Sequence, residues 1–300
     1  MTTPDPGLTV IMSERRQLIN LAYRLLGSLS EAEDAVQETY ARWYAMTPPQ
    51  REAIASPGAW LTTVAGRVCL DVLGSARARR ERYVGEWIPE PLPEPAEWTG
   101  GPRGTDPAER ITLDESVTMA FLVVLDAMTP AERVAFVLHD VFGYPFAEVA
   151  AVVGRTPAAC RQLASSARRR LRVTRSPRPP AARHARVVRD FRRAWEAKDI
   201  AALVGLLAAD VTATGDGGGL VAAAPHPIVG AERVALFFAG RAHLALGLTL
   251  LERTVNGRPG LVAQLDGGTV SVLAFDVTGD RISRIWAVLN PDKLRAWPTG

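Results

Sequence analysis

Two proline-rich breaks cut this chain of 300 residues into three parts. The first covers residues 86–107, where Pro89, Pro91, Pro93, Pro95, Pro102 and Pro107 sit among Gly100, Gly101 and Gly104. The second is Ser176-Pro177-Arg178-Pro179-Pro180. Proline lacks a backbone donor and clashes with the preceding helical turn, so neither stretch is helical throughout. The length fits two or three compact units, and the breaks predict where they join. Trp87, Ile88 and Trp98 lie inside the first break. Their apolar area is costly to leave in water, so this linker is expected to dock on a folded surface.

Before the first break, residues 12–82 carry helical periodicity. Leu18, Leu21, Ala22, Leu25 and Leu26 share one face. Ser30 and Glu33 have the spacing of a capping box that starts a second helix. Along that helix Ala32, Ala35, Val36, Thr39, Tyr40 and Trp43 recur on one side, with Asp34, Gln37, Glu38 and Arg42 elsewhere on its surface. Pro48 and Pro49 stop it. Ser56-Pro57 opens a further helix carrying Trp60, Leu61, Val64, Val68 and Val72.

Between the breaks, helices are expected to resume near Ile111, and Thr129-Pro130-Ala131-Glu132 combines an N-cap, a first-turn proline and a capping-box glutamate. Phe146, Val149, Ala150 and Val153 form one face of a short helix. Gly154 suits its C-cap, Thr156 caps the next helix and Pro157 takes the first position. Cys160, Leu163, Ala164, Ala167 and Leu171 form that helix's buried stripe, leaving Ala158, Arg161, Gln162, Ser165, Arg168 and Arg169 outside. The pattern is a helix-turn-helix, with an ordinary helical hairpin as the plainer reading.

Charge favours the first reading. The net charge is only +3, but Arg155, Arg161, Arg168, Arg169, Arg170, Arg172, Arg175 and Arg178 follow one another with no Asp or Glu between them. Arg77, Arg79, Arg80 and Arg82 form a second cluster, relieved only by Glu81. Such local faces, more than the total charge, attract phosphate. Short side chains at the start of the second helix allow close approach to a groove. Arg161, Gln162 and Ser165 can read base edges, and Arg168 and Arg169 can hold the backbone.

Beyond residue 181 the pattern becomes mixed. Residues 182–197, 200–208 and 230–242 read as helices. Strand-like runs follow, separated by Asn256-Gly257, Asp266-Gly267-Gly268 and Thr278-Gly279-Asp280. An α+β domain with helices over a curved sheet is expected. Two cysteines, Cys69 and Cys160, exclude a disulfide scaffold. No run is long and apolar enough to span a bilayer, and no signal-peptide layout is visible, so the expectation is a cytoplasmic protein without membrane contact. No residue cluster has metal-ligand spacing, and no cofactor motif appears. Asp216, Asp276, His226 and His243 are the groups available for acid–base work in the last domain, without a spacing that demands catalysis.

Three blocks carry a resemblance. LAYRLLGSLSEAEDAVQETYARWY (residues 21–44) and WLTTVAGRVCLDVLGSARARRERY (60–83) resemble region 2 of extracytoplasmic-function (ECF) sigma factors. MTPAERVAFVLHDVFGYPFAEVAAVVGRTPAACRQLASSARRRL (128–171) resembles their region 4. The resemblance implies docking on core RNA polymerase at its beta-prime clamp and beta flap, with Asp34, Gln37 and Glu38 facing the polymerase. It implies promoter recognition at the −10 element by Trp60, Thr63, Arg67, Asp71, Arg77, Arg79 and Arg80. At the −35 element it implies Arg155, Thr156, Ala158, Arg161, Gln162, Ser165, Arg168 and Arg169. The last domain resembles the SnoaL-like, NTF2-type fold that one ECF subgroup carries at its C-terminus. Trp87-Ile88-Pro89-Glu90-Pro91 and Asn290-Pro291-Asp292-Lys293-Leu294 are similar to that subgroup's motifs. Asp216-Gly217-Gly218-Gly219-Leu220 departs from its Asp-Gly-Gly-Gly-Lys in the final residue.

The expected division is therefore 1–85 for region 2, 86–112 for the linker, 113–175 for region 4 and 181–300 for the SnoaL-like domain. The resemblance implies a non-enzymatic sigma factor regulated by its own last domain, through Trp87, Pro89, Glu90, Pro91, Asp216, Asn290, Asp292 and Lys293. A small molecule is a possible occupant of that domain's pocket. Two other readings stand beside it: a one-component DNA-binding regulator that senses a ligand, and a SnoaL-type enzyme fused to a DNA-binding module.

Overall fold

A computed structural model describes residues 6–80, 83–94, 115–174, 179–241 and 247–297, without side-chain detail for 6–13, 76–80, 115, 173 and 174. They fall into two compact units. One is drawn from 6–80 and 124–174, the other from 83–94, 115–123 and 179–297.

The first unit is all helix. It contains α1 (Pro6–Leu26), α2 (Leu29–Ala45), the short α3 (Pro48–Glu52), α4 (Pro57–Arg80), the last three residues of α5 (Met119–Asp126), α6 (Pro130–Phe136), α7 (Phe146–Val153) and α8 (Pro157–Thr174). The apolar spacing explains the packing. Leu18, Leu21, Ala22, Leu25 and Leu26 of α1 are all at most 1% exposed, and α1 lies against α2 and α4. Ala32, Ala35, Val36, Thr39 and Trp43 are the buried side of α2.

The start of α2 corrects one expectation. Gly27 ends α1 at φ +70, which leaves Ser28 extended as the N-cap; its hydroxyl accepts from Glu31 N at 3.4 Å. Ser30 is already inside the helix. At α6 the expected capping box is present: Thr129 Oγ1 accepts from Glu132 N, and Thr129 N donates to Glu132 Oε2 at 3.0 Å.

The second unit is α+β, with the expected SnoaL-like layout of helices packed on one sheet. It contains α9 (Ala181–Glu196), α10 (Ile200–Leu206), β1 (Leu207–Asp216), β2 (Ile228–Val229), α11 (Ala231–Arg241), β3 (Thr249–Val255), β4 (Arg258–Leu265), β5 (Gly268–Thr278) and β6 (Arg281–Val288). The sheet order is β2-β1-β6-β5-β4-β3. Strands β3 to β6 form the antiparallel meander that the turn signals predict. Asn256 (φ 50) and Gly257 (φ 74) build the β3–β4 turn, since a type I′ turn needs positive φ at both central residues. Strand β1 precedes α11 and pairs parallel to β6, so the strands are not confined to the chain's end.

Both faces of the sheet are covered, which is why β5 is buried continuously from Ser271 to Phe275. On one face Leu273, Phe275 and Val277 pack with Phe191, Trp195 and Phe238 of the helices. On the other, Val272, Ala274 and Trp286 pack with Ile88, Met119, Leu294 and Trp297. The linker is therefore part of this unit's core.

Candidate nucleic-acid interface and linker clasp

In the helix-turn-helix, Gly154 adopts the left-handed conformation (φ 69, ψ 34) and its N–H donates to Ala150 O. Glycine meets that demand without a Cβ penalty. Thr156 Oγ1 accepts from Ala159 N at 3.2 Å and caps α8. Cys160, Ala164 and Ala167 are fully buried. Arg155, Thr156, Ala158, Arg161, Gln162, Ser165 and Arg169 are exposed on the outer side. Arg161 lies over the Phe146 ring at 5.6 Å. Arg168 is held by Asp140 through two contacts, at 2.6 and 3.2 Å. Burial pushes both thiols up, Cys69 to about 12 and Cys160 in the same direction despite the opposing Arg155 charge.

On α2, Asp34, Gln37 and Glu38 are exposed, and Glu38 pairs with Arg42 at 2.8 Å. On α4, Trp60 is half-buried edge-on against Trp43, with centroids 5.2 Å apart. Asp71 is exposed. Arg77, Arg79 and Arg80 lie in the last turn of α4, and their side chains are outside the described residues. Thr63 donates to Ala59 O within its own helix. Arg67 donates twice to Ala151 O of α7, at 3.2 and 2.8 Å.

That pairing belongs to a close α4–α7 contact. A Cβ on Gly66 would stand 2.7 Å from Val152 Cγ1, so only glycine lets the helices approach this far. Tyr144, just before α7, takes a hydrogen bond from Gln17 at 2.8 Å and shares another with Thr62 at 3.1 Å. Arg133, 3% exposed, donates to Leu25 O and to Asp126, each at 2.8 Å. Its burial pulls it below the usual arginine range. These contacts tie α4 and α1 to the helix-turn-helix, and periodicity gave no sign of them.

In the second unit the linker residues gather around Asp216. This side chain is fully buried. Its Oδ1 accepts from Tyr83 OH at 2.7 Å and Gly218 N at 3.0 Å. Its Oδ2 accepts from Ile88 N at 2.9 Å and Lys293 Nζ at 2.7 Å. Lys293 also donates to Ile88 O at 2.6 Å and lies over the Trp87 ring at 4.2 Å. Asn290 donates to Tyr83 OH at 2.9 Å. Burial and the bond to Asp216 push the Tyr83 phenol well above its ordinary value. Pro89, Glu90 and Pro91 are buried, and Pro91 O accepts from Trp297 Nε1 at 2.9 Å. Asp292 stands apart; its carboxylate pairs with Arg295.

Two of the three glycines of the loop have a steric reason. A Cβ on Gly217 would lie 1.9 Å from Val221 O, and one on Gly218 would lie 2.3 Å from Asn290. Leu220, where the subgroup motif has lysine, is 64% exposed. The cation that Asp216 takes is Lys293, from the tail motif.

A cavity of about 240 Å³ is lined by residues of the sheet and of the helices. Ala213, Phe238, Leu248, Leu273, Ile285 and Leu289 are among its walls. Asp216, Asp276 and His226 do not line it, and His243 lies outside the described residues. Among the described residues, no cluster of His, Cys, Asp or Glu could hold a metal, and no helix is long and apolar enough to cross a membrane.

Comparison with known proteins covers nearly the whole chain. The family model "Sigma-70 region 2" matches residues 10–80, and "Sigma-70, region 4" matches residues 118–171. The chain is 39% identical to the ECF RNA polymerase sigma factor SigJ of Mycobacterium tuberculosis, over 95% of each chain. It is 28% identical to SigG of the same organism, another ECF RNA polymerase sigma factor, over 92% of this chain and 79% of the other. The crystal structure of M. tuberculosis SigJ superposes with a TM-score of 0.76 at 36% identity, covering 98% of this chain and all of the other.

Proposed function

Because the chain belongs to the ECF RNA polymerase sigma factors, with a SnoaL-like C-terminal domain, we propose that its exposed helix faces divide the work of initiation between them. Asp34, Gln37 and Glu38 face core polymerase, in the region of the beta-prime clamp, while region 4 meets the beta flap. An acidic face suits a basic protein surface and is repelled by DNA. Trp60, Thr63, Arg67, Asp71, Arg77, Arg79 and Arg80 serve the −10 element. Arg155, Thr156, Ala158, Arg161, Gln162 and Ser165 serve the −35 element, with Arg168 and Arg169 on phosphates. The observation that carries this division is α8: a fully buried Cys160-Ala164-Ala167 stripe behind an exposed face with no acid.

The close α4–α7 contact favours reading the first unit as a resting state. By their labels the two promoter elements lie about 25 base pairs apart, on the order of 85 Å at about 3.4 Å per pair. The contact of α4 with α7, with Arg67 spent on Ala151 O, supports reading this arrangement as closed. Opening of this contact accompanies polymerase binding. The SnoaL-like domain tunes activity through the clasp that Asp216, Asn290 and Lys293 close on Trp87, Pro89, Glu90 and Pro91, with Asp292 beside it. Its cavity takes a small molecule.

The test is binding to core polymerase. The double variant Asp34→Lys, Glu38→Lys lowers affinity for core at least tenfold with an unchanged melting temperature. Full retention of core binding by that variant contradicts the assignment of this face.

A further inference from the structure

The cavity of the second unit is apolar almost throughout, and its polar exceptions are unbalanced. Trp195 lines it, is 6% exposed, and its indole N–H has no hydrogen-bond acceptor among the described residues. Arg241, at the end of α11, also lines it. Its guanidinium lies 4.0 Å from the Phe237 ring centroid and has no carboxylate partner among the described residues. Burial pulls it below the usual arginine range, with no anion to offset the cost. Thr214 and Ser271 are further polar residues on its walls, and no Asp, Glu or His stands among the described residues that line it.

A buried donor left unmade costs about 1–3 kcal/mol, and a desolvated cation costs more unless paired. The walls thus offer one buried donor without an acceptor and one positive charge without a counter-charge among the described residues. The complement is a molecule that brings an anionic oxygen on an apolar body. Size narrows the class. A cavity of about 150 Å³ holds benzene, so one of about 240 Å³ holds roughly ten non-hydrogen atoms by the same proportion.

We propose that this cavity binds a small lipophilic carboxylate, a medium-chain or aryl acid, with the carboxylate at Arg241 and the apolar tail between Trp195, Phe238 and the sheet. The proposal rests on the reading that the cavity takes a small molecule, and it names the class. Arg241 supplies a charge-assisted bond, and the aromatic and aliphatic walls supply the area.

The probes are octanoate, octan-1-ol and octylamine, titrated calorimetrically into the full chain. Octanoate binds at least tenfold tighter than octanol, and octylamine does not bind. Arg241→Gln weakens octanoate at least tenfold and leaves octanol within twofold, which also shows that the variant is folded. If that variant does not fold, the ratios among the three probes on the unaltered chain decide. Equal affinity for octanoate and octanol overturns the acid class and leaves a ligand cavity. Failure of both to bind overturns the class and the cavity reading together.

Discussion

Lys293 donates to Asp216 across 2.7 Å, with the aspartate side chain fully buried and the lysine side chain 10% exposed. The pair joins the tail motif to the glycine-rich loop, and through Ile88 it holds the linker on the sheet. Breaking a buried pair by removing one partner leaves an uncompensated charge, at a cost of about 3–5 kcal/mol. Asp216→Asn and Lys293→Met each lower the unfolding free energy by about that much in urea titration. The double variant loses less than the sum of the two. Additive losses contradict a direct pairing.

At the contact of α4 and α7, Gly66→Val drives a branched side chain into Val152. Overpacking of this kind costs about 1–3 kcal/mol. The melting temperature falls, and amide protection in α7 falls with it, while the second unit keeps its protection. Undiminished protection in α7 contradicts the tight approach at Gly66.

The thiols give a prediction in pH. Burial holds the Cys69 thiol up near 12, whereas an unfolded thiol ionises near about 8.5. The folded chain keeps the proton that the unfolded chain loses. Its contribution to stability is therefore complete below about pH 8.5 and drains away as pH rises toward 12. Thiolate is the reactive form, so at pH 8 a thiol reagent modifies neither Cys69 nor Cys160 in the native protein and modifies both in guanidinium. Rapid native labelling of Cys69 contradicts its burial.

On α8 the arginines separate by role. Arg161→Ala relaxes base selectivity in the upstream element, at a cost of about 1–3 kcal/mol for the preferred sequence. Arg169→Ala weakens all sequences alike and reduces the salt slope by about one. Asp140→Asn frees Arg168 from its bidentate hold and raises nonspecific affinity. A uniform loss from Arg161→Ala contradicts base reading.

Local grammar made much of this legible. The Thr129 and Thr156 caps, the Gly154 C-cap and the Asn256-Gly257 turn are decided by neighbouring residues, and all stand where the sequence puts them. The Ser30 cap failed because Gly27 ended α1 early and gave the position to Ser28. Features set by distant residues left no such trace. Gly66 reads as an unremarkable helical glycine until Val152 is beside it. Lys293 pairs with Asp216 only because β1 and the tail meet after folding. Arg241 and Trp195 share a cavity although 45 positions of sequence separate them. The linker is legible as a docking segment from Trp87 and Ile88, and the resemblance names Asp216 and Lys293 with it; the full burial of that carboxylate against Ile88 N is not legible.

The most direct measurement is transcription with core polymerase and the purified chain on a genomic template, with mapping of transcript 5′ ends. The account predicts transcripts absent from core alone, starting downstream of one shared two-part motif. Sequence-specific DNA binding without polymerase, together with no new start sites when core is present, would contradict it.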